Sequence, residues 1–303
     1  MEKIGLIFPG QGSQYVGMGK EIYHHPEVKA IFDTASDILS YDITKLLFEG
    51  PEDILNDTEY AQTSIFTVSI AYFKALPFLS LSDSRLQTPD SRLPLYVAGH
   101  SLGEYTALTS AESLYFHEAL MIVNKRAGLM KEEASKIKGG MIASLGLSLE
   151  KIERICKETN VEIANINSPL QIVISGLDED LQKAREVVIK EGGKAIRLKT
   201  SGPFHSSWMK EAEEQMKLVL KDCKIKPPKI KVIQNVSASC TDNPEIIREN
   251  LIKQITGRVR WDETIRFMEK EGITSVIEIG PSNVLSNLTK RITPNIKAIP
   301  VSP

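Results

Sequence analysis

The chain is short of the features that organise secreted, metal-bound or membrane proteins. It has three cysteines, Cys156, Cys223 and Cys240, and none forms a CxxC pair. An odd count without paired spacing speaks against a disulfide framework. Its five histidines (His24, His25, His100, His117 and His205) show no HExxH-type spacing, so no metal is expected. No apolar run approaches the roughly 20 residues that a membrane helix needs. The opening Met1–Gly10 carries only a short apolar run ended by Phe8-Pro9-Gly10, unlike the longer apolar core of a secretory signal. Charge of one sign is missing too. The formal net charge is -2, from 37 basic and 39 acidic residues. The cationic excess that tracks nucleic-acid phosphates is therefore absent, although a local basic patch is not excluded. The expectation is a cytoplasmic protein without nucleic-acid or membrane partners.

What is present is ordinary in composition, with 42% apolar and 25% charged residues. The length of 303 residues suggests two domains, or one domain with an insertion. Ile4–Phe8 reads as a buried strand running into a glycine-rich loop with glycines at 10, 12, 17 and 19. Helical spacing is clearest over Tyr60–Leu76, and Ser80–Pro94 reads as an exposed loop. Leu95–Ala98 is strand-like, a helix follows Gly103, and His117–Ser135 is another helix.

The rhythm changes over 139–200. Strand-like Met141–Leu145, a helix from Ser148 to about Thr159, strands Val161–Ile166 and Gln171–Ser175, a helix Leu177–Glu191 and a strand Ala195–Leu198 follow in order. Asn167-Ser168-Pro169 separates the middle strands. This is βαββαβ, the ferredoxin-like pattern. Alternation then resumes with a helix over Ser207–Cys223, a strand Lys231–Val236, helices Ile246–Ile255 and Thr264–Glu271, and strands Ser275–Ile279 and Ile296–Val301. The expected fold is α/β. A hydrolase-like α/β domain, discontinuous over 1–135 and 201–303, carries an inserted ferredoxin-like subdomain over 136–200.

Gly99-His100-Ser101-Leu102-Gly103 has the spacing of a nucleophile elbow, with a strand before it and a helix after. The serine needs a base. His100 is adjacent and would point away across the turn, His24 and His25 lie in a polar stretch, and His117 sits near a helix start. His205 lies in a loop where the chain re-enters the larger domain, which makes it the candidate partner. No acid for a third triad position is evident. Gly10-Gln11-Gly12-Ser13-Gln14 lacks the third glycine of a dinucleotide fingerprint and the lysine of a P-loop. It suits an oxyanion hole or a simple tight turn. Arg126 occupies a mostly apolar helix face beside Ala119, Ile122, Leu129 and Met130. It either holds an anion in a bidentate fork or snorkels to solvent.

Taken together, these segments resemble the malonyl-CoA:acyl carrier protein transacylases along essentially the whole chain. The likeness rests on Phe8–Gln14, Gly99–Tyr105, Arg126 with Met130, Asn165–Gly176, Gly202-Pro203-Phe204-His205-Ser206, Leu251-x-x-Gln254, Val259-Arg260-Trp261 and Glu278-Ile279-Gly280-Pro281. The resemblance implies Ser101 as nucleophile and His205 as general base and acid. It implies the backbone N–H groups of Gln11 and Leu102 as oxyanion hole, the main-chain carbonyl of Gln254 as orienter of the histidine, and Arg126 as holder of the malonyl carboxylate. It further implies malonyl-CoA and acyl carrier protein as partners, fatty acid biosynthesis as the setting, and no metal or other cofactor. A serine esterase or thioesterase, a polyketide acyltransferase with another extender unit, and a non-catalytic scaffold are the competing readings. Ala127, Trp208, Arg258 and the long Ser80–Pro94 loop depart from the pattern. Lys194, Arg197, Lys199, Arg258 and Arg260 are candidate cations for docking an acidic carrier.

Overall fold

The computed structural model describes residues 3–82 and 95–301. Along the chain, β1 (Ile4–Phe8) is followed by α1 (Pro26–Leu39), α2 (Ile43–Glu49), α3 (Glu52–Asn56) and α4 (Thr58–Ser82). Next come β2 (Tyr96–Gly99), α5 (Gly103–Ser110), α6 (Phe116–Ser135), β3 (Gly139–Leu145), α7 (Leu149–Thr159), β4 (Glu162–Ser168), β5 (Gln171–Leu177), α8 (Asp178–Lys190) and β6 (Lys194–Arg197). The chain ends through α9 (Lys210–Lys221), β7 (Lys231–Ile233), α10 (Pro244–Lys253), α11 (Trp261–Lys270), β8 (Ser275–Glu278), α12 (Val284–Ile292) and β9 (Lys297–Pro300).

Five parallel strands make the larger sheet in the order β7-β2-β1-β8-β9. Helices cover both of its faces, which is why β1 reads as a continuous apolar run and not as an alternating one. Leu6 and Phe8 enter the main core with α4 and α6, whereas Ile7 enters a second core with Trp261, Ile265 and Leu285. Phe8 lies opposite Gly99 in the ladder, so the loops after β1 and β2 leave the sheet side by side. Ligands of open α/β sheets bind at these carboxyl ends.

The smaller sheet is antiparallel in the order β4-β5-β3-β6, the ferredoxin-like arrangement. Its strands alternate as the pleat requires. Ile142, Ile163, Ile172 and Ile174 pack under α7 and α8, while Met141, Ala143, Ala164 and Val173 join the main core. Backbone bonds also join the two units: Ile166 N donates to Val259 O (2.9 Å) and Val259 N donates to Ala164 O (2.8 Å).

Several expected boundaries move. The strand expected over Lys231–Val236 stops at Ile233, because Gln234 and Asn235 leave the ladder for a buried carboxylate described below. The helix expected from Ser207 begins as a 3-10 turn over Ser207–Met209. β4 continues to Ser168, which leaves Pro169 and Leu170 to reverse the chain. Of the expected Ser80–Pro94 loop, Ser80–Ser82 continue α4, and 83–94 lie outside the described residues. Among the described residues no helix is long and apolar enough to cross a membrane.

Candidate active site

The turn between β2 and α5 is sharp. Ser101 sits in the left-handed region at φ 51°, a conformation that costs energy for a non-glycine residue. The flanking glycines are sterically required. A Cβ on Gly99 would lie 1.8 Å from the carbonyl carbon of Gly103, and one on Gly103 would lie 2.2 Å from Phe8 O. Asn235 clamps the turn: its Oδ1 accepts from Ser101 N (2.7 Å) and its Nδ2 donates to Gly99 O (2.6 Å). Leu102 follows as the N-cap of α5, so its N–H lies at the positive end of the helix.

His205 reaches Ser101 from the loop before α9. Its Nε2 is 2.8 Å from Ser101 Oγ. Its Nδ1 is 2.9 Å from Gln254 O and 3.1 Å from Gly257 O. Carbonyl oxygens only accept, so Nδ1 carries the proton and Nε2 presents its lone pair to the serine hydroxyl. The ring is buried at 5% exposure. Burial first, and then the Arg126 charge, push its pKa down to about 3. The imidazole is therefore neutral at pH 7 and able to accept a proton.

This placement has a pH signature. Acylation of Ser101 should stay level from about pH 8 to about pH 5, below the ordinary histidine value near 6.5. A stopped-flow pH profile checks this, and a descent centred near 6.5 would contradict the buried neutral imidazole. Because the folded pKa lies below the unfolded one, the unfolded chain takes up the proton first. The histidine's contribution thus declines as pH falls from about 6.5 toward 3.

Arg126 projects from α6 and is 1% exposed. Its guanidinium donates to Gln62 Oε1 on α4 (2.5 Å), to Gln254 Oε1 (3.0 Å) and to Ser101 Oγ (3.0 Å), and lies over the Tyr105 ring at 5.6 Å. Burial lowers its pKa while the charges of Tyr105 and Glu104 oppose the shift. A guanidinium stays protonated in proteins. Its hydrogen-bond partners here are all neutral, and its Nε has none among the described residues. The snorkelling alternative does not describe this side chain. It is a buried cation without a directly bonded anion, and such a group is costly until one arrives.

A cavity of about 400 Å³ opens onto these groups. Gln11, Ser101, Leu102, Arg126 and His205 line it from the larger unit, and Met141, Asn165, Leu198 and Lys199 from the smaller one. Gln11 Nε2 donates to Thr58 Oγ1 (3.0 Å), so its side-chain amide is already engaged. The tight turn it belongs to is closed by Ser13 Oγ donating to Gly10 O (2.8 Å) and by Gly12 N donating to Gln14 Oε1 (2.8 Å). Of the other histidines only His100 also lines this cavity, and its ring is held by a different partner. His100 Nε2 pairs with Asn167 Oδ1 (2.8 Å), while His24 and His117 are exposed. Among the described residues no cluster of His, Cys, Asp and Glu could hold a metal ion.

Residues 6–300 match the model of the acyl transferase domain. The chain belongs to the acyl transferase family. Its relatives within that family include the malonyl CoA-acyl carrier protein transacylase of Bacillus subtilis, 42% identical over all of this chain and 94% of the relative. The Staphylococcus aureus protein of the same name is 36% identical over 98% of this chain and 94% of its own. Among solved structures, the malonyl CoA-acyl carrier protein transacylase of Coxiella burnetii superposes with a TM-score of 0.93 at 37% identity, covering 99% of this chain and 94% of that one. A type II PKS acyl-carrier protein in complex with its malonyl-transacylase gives 0.92 at 35% identity, covering 99% and 96%.

Within this acyl transferase, the structure brings together Gln11, Ser101, Leu102, Arg126, His205 and the carbonyl of Gln254, the whole set expected from sequence. Sequence reasoning missed Gln62, Asn235, Glu104 and the second carbonyl, at Gly257. A signal existed for Glu104. It is the single charged residue of α5, a helix of otherwise small, apolar and weakly polar residues that is buried nearly all round.

Proposed function

We propose that the chain is an [acyl-carrier-protein] S-malonyltransferase that moves a malonyl group from CoA to the phosphopantetheine thiol of acyl carrier protein, in the cytoplasm, as a step of fatty acid biosynthesis. The observation that carries this reading is a buried guanidinium with neutral partners only, 3.0 Å from a serine hydroxyl that also meets a neutral imidazole. An acyl group bearing a carboxylate supplies the missing anion and brings its thioester to the serine.

The steps follow from the hydrogen bonds. Ser101 Oγ attacks the thioester carbon as His205 Nε2 takes its proton. Negative charge forms on the thioester oxygen between the backbone N–H groups of Gln11 and Leu102, donors of a kind worth about 3 kcal/mol each when removed. His205 returns the proton to the departing CoA sulfur, which leaves a malonyl ester on Ser101. The carrier's thiol gives its proton to His205 and attacks the ester carbon, and the same donors stabilise the second oxyanion. The ester bond then breaks as His205 Nε2 returns the proton to Ser101 Oγ, leaving the malonyl thioester on the carrier. The Gln254 and Gly257 carbonyls hold the imidazole tautomer through both halves, in place of a carboxylate. In this reading 136–200 is an inserted subdomain, and its Met141, Asn165 and Lys199 close one wall of the cleft.

Product analysis separates transfer from hydrolysis. Incubation with malonyl-CoA and a phosphopantetheine thiol should yield the malonyl thioester of that thiol, and predominant release of free malonate would favour the esterase reading.

The carrier is expected to approach a basic rim narrower than the sequence suggests. Arg197 pairs with Asp178, Arg258 with Glu153 and Arg260 with Glu263. Lys194 and Lys199 stay exposed at the exit of the small unit. Opposite-charge steering acts on association and is screened over roughly 10 Å at 0.1 M salt. Transfer from malonyl-enzyme to carrier protein should therefore slow as salt rises, and Lys194→Glu should slow it several-fold at low salt. Transfer to a small neutral thiol should respond to neither, and equal responses by the two acceptors would remove the docking role.

A further inference from the structure

We infer that Glu104 is a positioning residue, whose buried carboxylate fixes the Gln254 amide and, through it, the relative placement of Arg126, Ser101 and His205. The inference rests on the malonyl-transfer reading and assigns a role to a group that touches none of the reacting atoms.

Glu104 lies in the first turn of α5 with no exposed surface. Its Oε2 accepts from Gln254 Nε2 (2.7 Å) and from Asn235 N (3.0 Å), and its Oε1 accepts from Gln234 Nε2 (3.2 Å). Every one of these partners is a donor. The backbone N–H of Asn235 can be nothing else. Gln234 is oriented from its far side, where its Oε1 accepts from Asn250 Nδ2 (2.7 Å). Burial pushes the pKa of this carboxyl up, and the three donors and the nearby Arg126 charge oppose that shift. The donor-only geometry is met by an acceptor without hydrogens, and an ionised carboxylate is that group.

The consequence appears at Gln254. With its NH2 committed to Glu104 and to Ser101 O (3.1 Å), its Oε1 faces Arg126 and accepts from the guanidinium (3.0 Å). Were the amide turned over, two donors would face each other in a buried site. The main-chain carbonyl of the same residue holds His205 Nδ1. One glutamine thus touches the nucleophile's backbone, the base and the cation, and Glu104 anchors its side chain. Asn235 repeats the pattern, with its N–H on Glu104 and its side chain clamping the Ser101 turn.

The arrangement also handles charge at one remove. Glu104 opposes the effect of burial on Arg126 through space, and no bond joins the two side chains. A carboxylate bonded directly to the guanidinium would occupy the donors that an incoming acyl carboxylate needs. The amide between them leaves those donors available.

The test uses the full chain with Glu104→Gln, which matches the side chain in size and places hydrogens where only donors point. Malonyl- and acetyl-CoA acylation are measured per active site, with the sites counted by endpoint intact mass and folding followed by circular dichroism. Glu104→Gln should slow malonyl acylation per site by about 100-fold and lower the malonyl-over-acetyl ratio about 10-fold or more, as expected when a positioned donor set is lost. Glu104→Asp keeps an acceptor-only carboxylate and should hold the ratio within about three-fold of the wild type even if its rate falls. A Glu104→Gln protein that melts earlier but keeps the wild-type rate per site and ratio overturns the proposal. An equal loss on both substrates overturns the relay to Arg126. Should Glu104→Gln fail to fold, a collapsed ratio in Glu104→Asp overturns the proposal, and a retained ratio supports it. A wild type that forms no malonyl adduct refutes the malonyl-transfer reading itself, an outcome read separately from either variant.

Discussion

Ser101→Ala should take up no malonyl group from malonyl-CoA, where the wild type gains one group by intact mass. The expectation follows from the convergence on one oxygen. Among the described residues, Ser101 Oγ alone meets both the imidazole lone pair and the guanidinium, at 2.8 Å and 3.0 Å. No cysteine competes for the acyl group. Burial pushes the Cys156 thiol up to about 12 and the Cys240 thiol up to about 11, and burial also raises that of Cys223. His205→Ala should keep the site but slow acylation by about 10²- to 10⁴-fold, the range that a positioned general base contributes. A mass increase that persists in the alanine variant at 101 would assign the nucleophile elsewhere. An unimpaired alanine variant at 205 would mean that another group takes the proton.

Much of the fold is legible in the chain because its signals are local. β1 is readable because a central parallel strand is apolar on both faces and ends at Pro9-Gly10. The βαββαβ unit is readable because both of its helices and all of its strands fall within about 60 residues, with turn residues such as Gly146, Asn160, Pro169 and Gly192-Gly193 at most boundaries. What escaped reading is set by tertiary contact. α1 to α3 follow one another across joints of two or three residues. Although Asp42 caps α2 locally by accepting from Lys45 N (2.9 Å), the apolar faces of these short helices gain their meaning only in the core they share with α4. α12 is capped by Glu278, which accepts from Leu285 N and Ser286 N at seven and eight residues' distance, beyond any local capping box. β7 ends early for a similar reason, since Gln234 and Asn235 are drawn to Glu104, 130 residues away.

The site divides in the same way. Ser101 stands in a motif whose steric logic is local, with glycines on both sides and a strand and a helix beyond. His205 and Arg126 carry distinctive chemistry and could be named as candidates, but their convergence is a property of the fold. The groups that hold them are amides and carbonyls: Gln62, Asn235, Gln254 and Gly257. Such groups occur throughout any chain and acquire meaning only from position. The search for a triad acid on the sequence fails for the same reason. The carboxylate lies on the far side of Gln254, three residues after the nucleophile, and acts on the amide and not on the imidazole.

Arg126→Ala should cost malonyl transfer far more than acetyl transfer. In the folded protein the guanidinium has lost its water and gained only amide and hydroxyl partners. A malonyl carboxylate completes it, with Nε among the donors that have no partner among the described residues. An acetyl group brings a methyl to the same place and leaves the charge unpaired, and sites built to bind a polar group reject analogues that lack it by about 10⁴-fold. The alanine variant removes that penalty for acetyl along with the attraction for malonyl. Malonyl kcat/KM should fall by about 10³-fold, a loss of about 4 kcal/mol, within the range for breaking a buried pair. Acetyl kcat/KM should fall much less, through the lost bond to Ser101 Oγ alone, so the preference between the substrates narrows or inverts. Arg126→Lys retains the charge without the planar fork and should lie between the two. Competition between malonyl- and acetyl-CoA, read as the mass of the acyl-enzyme, reports the ratio directly. Equal losses on both substrates would make Arg126 a support for Ser101 and not a selector of the carboxylate.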